Sequence, residues 1–146
     1  MVNKAGLKVA VIGGGSWATA LVKVLSDNQV PLNWWMRDRE VMAYIQQHHR
    51  NPRYLSDASL QIRRGTMQPD LRKAVATADV VILAVPAAFL RDAMQGLAEN
   101  DLAGKWVLSA VKGMVPGENL LIGQFLQKYF RVSPQKFMVI TGPCHA

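Results

Sequence analysis

Residues 7–18 read Leu7-Lys8-Val9-Ala10-Val11-Ile12-Gly13-Gly14-Gly15-Ser16-Trp17-Ala18. A short run rich in valine and isoleucine meets three glycines. Beyond them Ala18, Leu21, Val22 and Leu25 fall on one face of a helix predicted over 16–28. Apolar runs of this kind suit strands buried on both faces of a parallel sheet. Gly13, Gly15 and Ala18 match the pattern G-x-G-x-x-G/A at a strand-to-helix junction, where its physics is needed. Gly13 admits a tight turn, Gly15 lets the backbone come close to a pyrophosphate, and Ala18 lets helix and strand pack. The free N–H groups and the positive end of the helix then face the phosphates of a dinucleotide. A merely glycine-rich turn is the alternative.

Outward from this junction the same alternation repeats. Strands are predicted over 31–36, 79–85, 106–111 and 137–141, with a short one at 60–62. Helices are predicted over 39–49, 69–76, 87–100 and 118–131. Their inward stripes include Tyr44 and His48, Phe89 and Leu90, and Leu121 and Tyr129. Strands alternating with helices imply a parallel sheet, and right-handed crossovers leave few topologies. The expected fold class is α/β: a doubly wound, mostly parallel Rossmann-type sheet of about six strands with helices on both faces. No repeat, low-complexity tract or linker interrupts it. The sequence stops five residues after a strand, which reads as a cut inside a longer protein.

Composition agrees with a single folded domain. The 146 residues are 50% hydrophobic and carry 17 Lys plus Arg against 10 Asp plus Glu, a net charge of +7. That is too apolar for a disordered chain and long enough to bury a core without disulfides. The one cysteine, Cys144, excludes a disulfide framework and a cysteine-based zinc site within the chain. The stretch between Lys8 and Lys23 is broken by glycines and falls short of the roughly 20 apolar residues a membrane span needs. No run of five or six like charges marks a nucleic-acid tract, so the positive charge reads as a solvated surface plus a site for an anionic ligand.

Five further features bear on chemistry. The second strand ends Trp35-Met36-Arg37-Asp38, where NAD-preferring sites place a carboxylate against the ribose hydroxyls. Arg37 stands there instead and can pair with a 2′-phosphate. Hydrogen bonds to charged groups contribute about 1.5–3 kcal/mol, so a tenfold preference for NADPH is in reach. NADP is favoured; Asp38 keeps NAD open through a small backbone shift, and Arg37 could also be a solvated charge at the helix start. Pro86, after the strand 79–85, starts a helix near the same sheet edge. Lys112-Gly113 follows a buried strand at the carboxyl edge, where an ammonium can hold a substrate oxygen or remain a solvated loop charge. Cys144-His145 lacks a third orienting group for nucleophilic catalysis. His48-His49 lacks partners at metal spacing, and no metal site is expected.

Together these motifs resemble the amino-terminal domain of the bacterial type of NAD(P)-dependent glycerol-3-phosphate dehydrogenase. The resemblance covers essentially the whole chain. It rests on residues 13–21, Asn51-Pro52-Arg53-Tyr54-Leu55, Ala84-Val85-Pro86-Ala87, Val111-Lys112-Gly113 and Gly142-Pro143-Cys144-His145-Ala146. The segment around Tyr54 is absent from generic dinucleotide-binding domains. It speaks against the rival readings, a related hydroxy-acid or sugar-acid dehydrogenase and a non-catalytic nucleotide-sensing module. The resemblance implies reduction of dihydroxyacetone phosphate to sn-glycerol 3-phosphate for phospholipid synthesis, in the cytoplasm. It implies cofactor contacts at Ser16, Trp17, Arg37, Lys112 and Ala146, and substrate contacts at Lys112, Gly142 and Cys144. Lys112 would orient the substrate. The proton-donating lysine would belong to a helical carboxyl-terminal domain beyond residue 146, and the longer enzyme could be a homodimer. Two departures stand out: Ala18 where the family usually has glycine, and Cys144 where it usually has serine or threonine. Cysteine is the weaker hydrogen-bond partner. His145 receives no role.

Overall fold

The computed structural model describes residues 6–141. In chain order they form β1 (Val9–Ile12), α1 (Ser16–Asp27), β2 (Leu32–Trp35), α2 (Arg39–His48), α3 (Leu71–Ala76), β3 (Val80–Leu83) and α4 (Ala87–Met94). There follow β4 (Trp106–Ser109), β5 (Met114–Val115), β6 (Leu120–Leu121), α5 (Ile122–Phe130) and β7 (Phe137–Val139). Five strands make one parallel sheet in the order β2-β1-β3-β4-β7. β5 and β6 form a separate antiparallel hairpin.

The central strand β1 is buried on both faces along its whole length, as its apolar run requires. In β1, Val9 and Val11 join a core with α1 and α2 that includes Val22, Trp34, Val41 and Ile45. Ala10 and Ile12 join the opposite core, where Val75 of α3, Leu90 of α4 and Phe125 and Leu126 of α5 pack on the sheet. Full burial of such side chains contributes about 1.5–3 kcal/mol each. The expected α/β sheet with helices on both faces is therefore present. No helix among the described residues is long and apolar enough to cross a membrane.

Four expectations need correction. Residues 60–62 form no strand: Leu60 and Ile62 are buried in the core that holds Leu32 and Trp34, and β2 is met from that segment by a parallel bridge between Trp34 and Met67, further along the chain. The main sheet therefore has five strands rather than six. α4 ends at Met94 instead of continuing to residue 100, with Gly96 just beyond it, a poor helix former. The helix expected over 118–131 starts only at Ile122, because residues 114–121 are spent on the hairpin, with Gly117 at φ +82° and Asn119 at φ +53° reversing the chain. Phe89, Tyr44, His48, Leu121 and Tyr129, expected to face inward, are all exposed.

Candidate functional site

The strand order turns around at β1: the chain moves to one side of it for β2 and to the other for β3. Loops leaving the carboxyl ends of these strands diverge there, and ligands of open α/β sheets bind in that crevice. A cavity of about 380 Å³ occupies the position. Its walls are Gly13, Gly14 and Gly15 after β1, Trp35 to Asp38 at and after β2, and Val85, Pro86, Phe89 and Ala93 beyond β3, with Val41, Arg53 and Tyr54 closing one end.

The glycine turn is held tightly. Gly13 has φ +137°, and a Cβ there would lie 2.1 Å from the Ala84 carbonyl oxygen. Its N–H donates to the Trp35 carbonyl at 2.9 Å, and its carbonyl accepts from the Trp34 indole Nε1–H at 2.7 Å. A Cβ at Gly14 would come within 3.0 Å of the Met36 Cβ, whereas one at Gly15 would meet nothing within 4 Å. Gly15 is also the N-cap of α1. It supplies no side-chain cap, and the first turn carries no acidic residue. Open space, uncapped N–H donors and the positive end of a 12-residue helix thus coincide. These residues fit the pyrophosphate of a dinucleotide.

Beside β2, Arg37 lines the cavity and makes no side-chain hydrogen bond or ion pair among the described residues. Asp38 is committed elsewhere. Its Oδ1 caps α2, accepting from the N–H groups of Glu40 (3.1 Å) and Val41 (3.0 Å), and its Oδ2 lies 2.9 Å from Nη1 of Arg53. The Val41 N–H, aided by the Arg53 charge and the Glu40 N–H, holds the Asp38 carboxyl below the usual carboxylate range against a smaller desolvation effect.

Asn51 ties the far wall to the glycine turn. It is fully buried. Its Nδ2 donates to Thr19 Oγ1 at 2.9 Å and to the Gly14 carbonyl at 3.4 Å, while its Oδ1 accepts from the N–H groups of Arg53 (2.9 Å) and Tyr54 (3.2 Å). Thr19 in turn donates through Oγ1 to the Gly15 carbonyl at 2.8 Å.

Of the residues singled out in the sequence, Gly13, Gly15 and Arg37 meet at this cavity. Ser16 and Trp17 begin α1, exposed, next to the glycine turn but not among the cavity walls. Lys112 is exposed in the segment between β4 and the hairpin, also off the walls, after Val111, whose N–H donates to Ser109 Oγ at 3.2 Å. Gly142, Cys144, His145 and Ala146 lie outside the described residues. His48 packs its ring against Tyr44, with centroids 4.2 Å apart. Reading the residues alone gave no role to Asn51, Arg53 or Phe89. An asparagine followed by proline signals only a turn, and an aromatic at helical spacing signals only a core.

The comparisons with known proteins agree with this geometry. The sequence profile described as NAD-dependent glycerol-3-phosphate dehydrogenase N-terminus matches residues 8–146. The glycerol-3-phosphate dehydrogenase (NAD(P)+) of Parafrankia sp. is 34% identical over 137 residues, covering 93% of this chain and 40% of the relative. That of Macrococcus caseolyticus is 34% identical over 143 residues, covering 96% and 42%. The crystal structure of glycerol-3-phosphate dehydrogenase from Coxiella burnetii has the same fold, with a TM-score of 0.80 at 22% identity over 95% of this chain and 42% of that one. The chain thus spans about two-fifths of the length of the curated relatives it matches. With a profile match running from the first strand to the last residue, the chain belongs to the amino-terminal, nucleotide-binding family of NAD-dependent glycerol-3-phosphate dehydrogenase.

Proposed function

We propose that this chain is the cofactor-binding part of an enzyme that reduces dihydroxyacetone phosphate to sn-glycerol 3-phosphate, with NADPH preferred over NADH. The observation that carries the reading is the cavity at the turning point of the sheet. There the uncapped start of α1, the open face of Gly15 and the uncommitted Arg37 line up along one crevice. When bound, the nicotinamide ring supplies the hydride. The chain's own residues bind and orient.

The α1 N-terminus and the Gly13–Gly15 turn receive the pyrophosphate, with Ser16 and Trp17 bordering it. Arg37 receives the 2′-phosphate. Asp38, the acidic group that would otherwise favour NAD, is taken up by the α2 cap and by Arg53. Lys112, at the carboxyl edge beyond β4, holds the substrate oxygen and stabilises the charge that develops on it. Gly142 and Cys144 border the substrate, and Ala146 the cofactor. The proton donor belongs to residues beyond this chain. The product would serve phospholipid synthesis in the cytoplasm, and a homodimer of the longer enzyme is compatible with the reading.

The test is a titration of the chain with NADPH and NADH in parallel, followed by tryptophan fluorescence. Saturable binding at least about tenfold tighter for NADPH supports the assignment. Equal or tighter NADH binding keeps the cavity and removes Arg37 as a phosphate ligand. Activity is tested in the full-length protein: Lys112→Ala should lower turnover by more than about tenfold, and near-normal turnover would take Lys112 out of the mechanism.

A further inference from the structure

Three charged side chains share the end of the cavity beside β2: Arg37, Asp38 and Arg53. Arg37 and Asp38 alone sum to zero, which gives a phosphate dianion little reason to settle there. Arg53 changes the balance to one net positive charge. Its position is not left to a flexible loop. The backbone N–H groups of Arg53 and Tyr54 are both fastened to the buried Asn51 Oδ1, and Asn51 is itself fastened to the glycine turn and α1. The guanidinium is fastened through one nitrogen to Asp38 Oδ2 at 2.9 Å. A guanidinium offers five N–H donors, so this contact leaves others unused. The Arg53 side chain is 59% exposed, open to a ligand.

We propose that Arg53 is a second specificity-determining residue for the cofactor, receiving the phosphate ester on the adenosine ribose together with Arg37. This rests on the NADPH reading above. Asp38 takes a part opposite to the one an acidic residue at this strand end usually has. Rather than accepting from ribose hydroxyls, it orients a cation toward the phosphate, while that cation screens its own repulsion.

The experiment uses the full-length protein, with Kd for NADPH and NADH measured for the wild type and for Arg37→Ala, Arg53→Ala and Arg53→Lys. The expected result for Arg53→Ala is NADPH binding weakened by at least about tenfold with NADH changed less than about threefold, as for loss of a charge-assisted contact. Arg53→Lys keeps the charge and should recover part of the loss. It also carries the comparison should the alanine variant fail to fold. An unchanged NADPH-to-NADH ratio in Arg53→Ala, whether both affinities hold or both fall together, overturns the assignment. If the wild type prefers NADPH and Arg37→Ala abolishes that preference while Arg53→Ala does not, only this inference fails. If the wild type shows no preference, the NADPH reading fails and takes this inference with it.

Discussion

At Gly13 a φ of +137° and a carbonyl oxygen 2.1 Å from the would-be Cβ leave no room for a side chain. At Gly15, two residues on, φ is −80° and the would-be Cβ meets nothing. The two glycines should therefore fail differently. Gly13→Ala is expected to destabilise the fold by more than about 2 kcal/mol, read as a lower urea midpoint. Gly15→Ala should leave the unfolding free energy within about 0.5 kcal/mol of wild type yet weaken dinucleotide binding about tenfold or more, because the methyl group stands where the phosphates approach. A parallel loss of stability in Gly15→Ala would contradict this division. Asn51→Ala removes four hydrogen bonds, one of them to the buried Thr19 hydroxyl, so it should cost about 1–3 kcal/mol and weaken both cofactors, NADPH the more because Arg53 loses its anchor. The glycines were legible from the sequence because a strand, a turn and a helix surround them in fixed order. Asn51 was not, because two of its four partners, Thr19 and Gly14, lie 32 and 37 positions away.

Helix α2 begins on Asp38, whose side chain meets two of its free N–H groups. Asp38→Ala should lower stability by about 0.5–2 kcal/mol, and Asp38→Asn, itself a good cap, by much less; equal losses in thermal unfolding would count against the cap. Helix α3 is joined to the turn after α4 by Arg72, which donates to both carboxylate oxygens of Asp101 at 2.8 and 3.1 Å. Arg72, with the Ala98 N–H, holds the Asp101 carboxyl below its ordinary value. A depressed carboxyl contributes stability above the unfolded pKa of about 3.9 and loses it as pH falls through the lower folded value. Asp101→Asn should accordingly flatten the acid limb of the stability curve below about pH 4. An unchanged limb would show that the pair contributes nothing. At this scale the sequence misleads where a periodic run outlasts the helix. Phe89 fits the α4 stripe, but it sits in the first turn, at the carboxyl edge of the sheet, and faces the cleft. The β5–β6 hairpin escapes notice because two-residue strands carry no period.

Over the whole molecule the alternation of strands and helices sufficed for the architecture, since strands apolar on both faces have no stable place except between two helical layers. It did not suffice for the strand count. Residues 60–62 alternate like a short strand, yet Leu60 and Ile62 are buried beside Leu32 and Trp34 without strand pairing. The net charge of +7 acts on this same scale. It should draw anionic ligands toward the cleft, so NADPH association should slow with added salt more steeply than NADH association. Equal salt slopes in stopped-flow traces would refute that. The bond from the Trp34 indole to the Gly13 carbonyl has an optical consequence. Trp34 is wholly enclosed, whereas Trp17 at the head of α1 is open to solvent. Two of the four tryptophans thus flank the glycine turn, one dark to iodide and one exposed to it, as Trp106 also is. Collisional quenching would set the enclosed Trp34 emission apart from that of the exposed rings, and a blue-edge component that shifts on filling the cleft would report a change at the glycine turn.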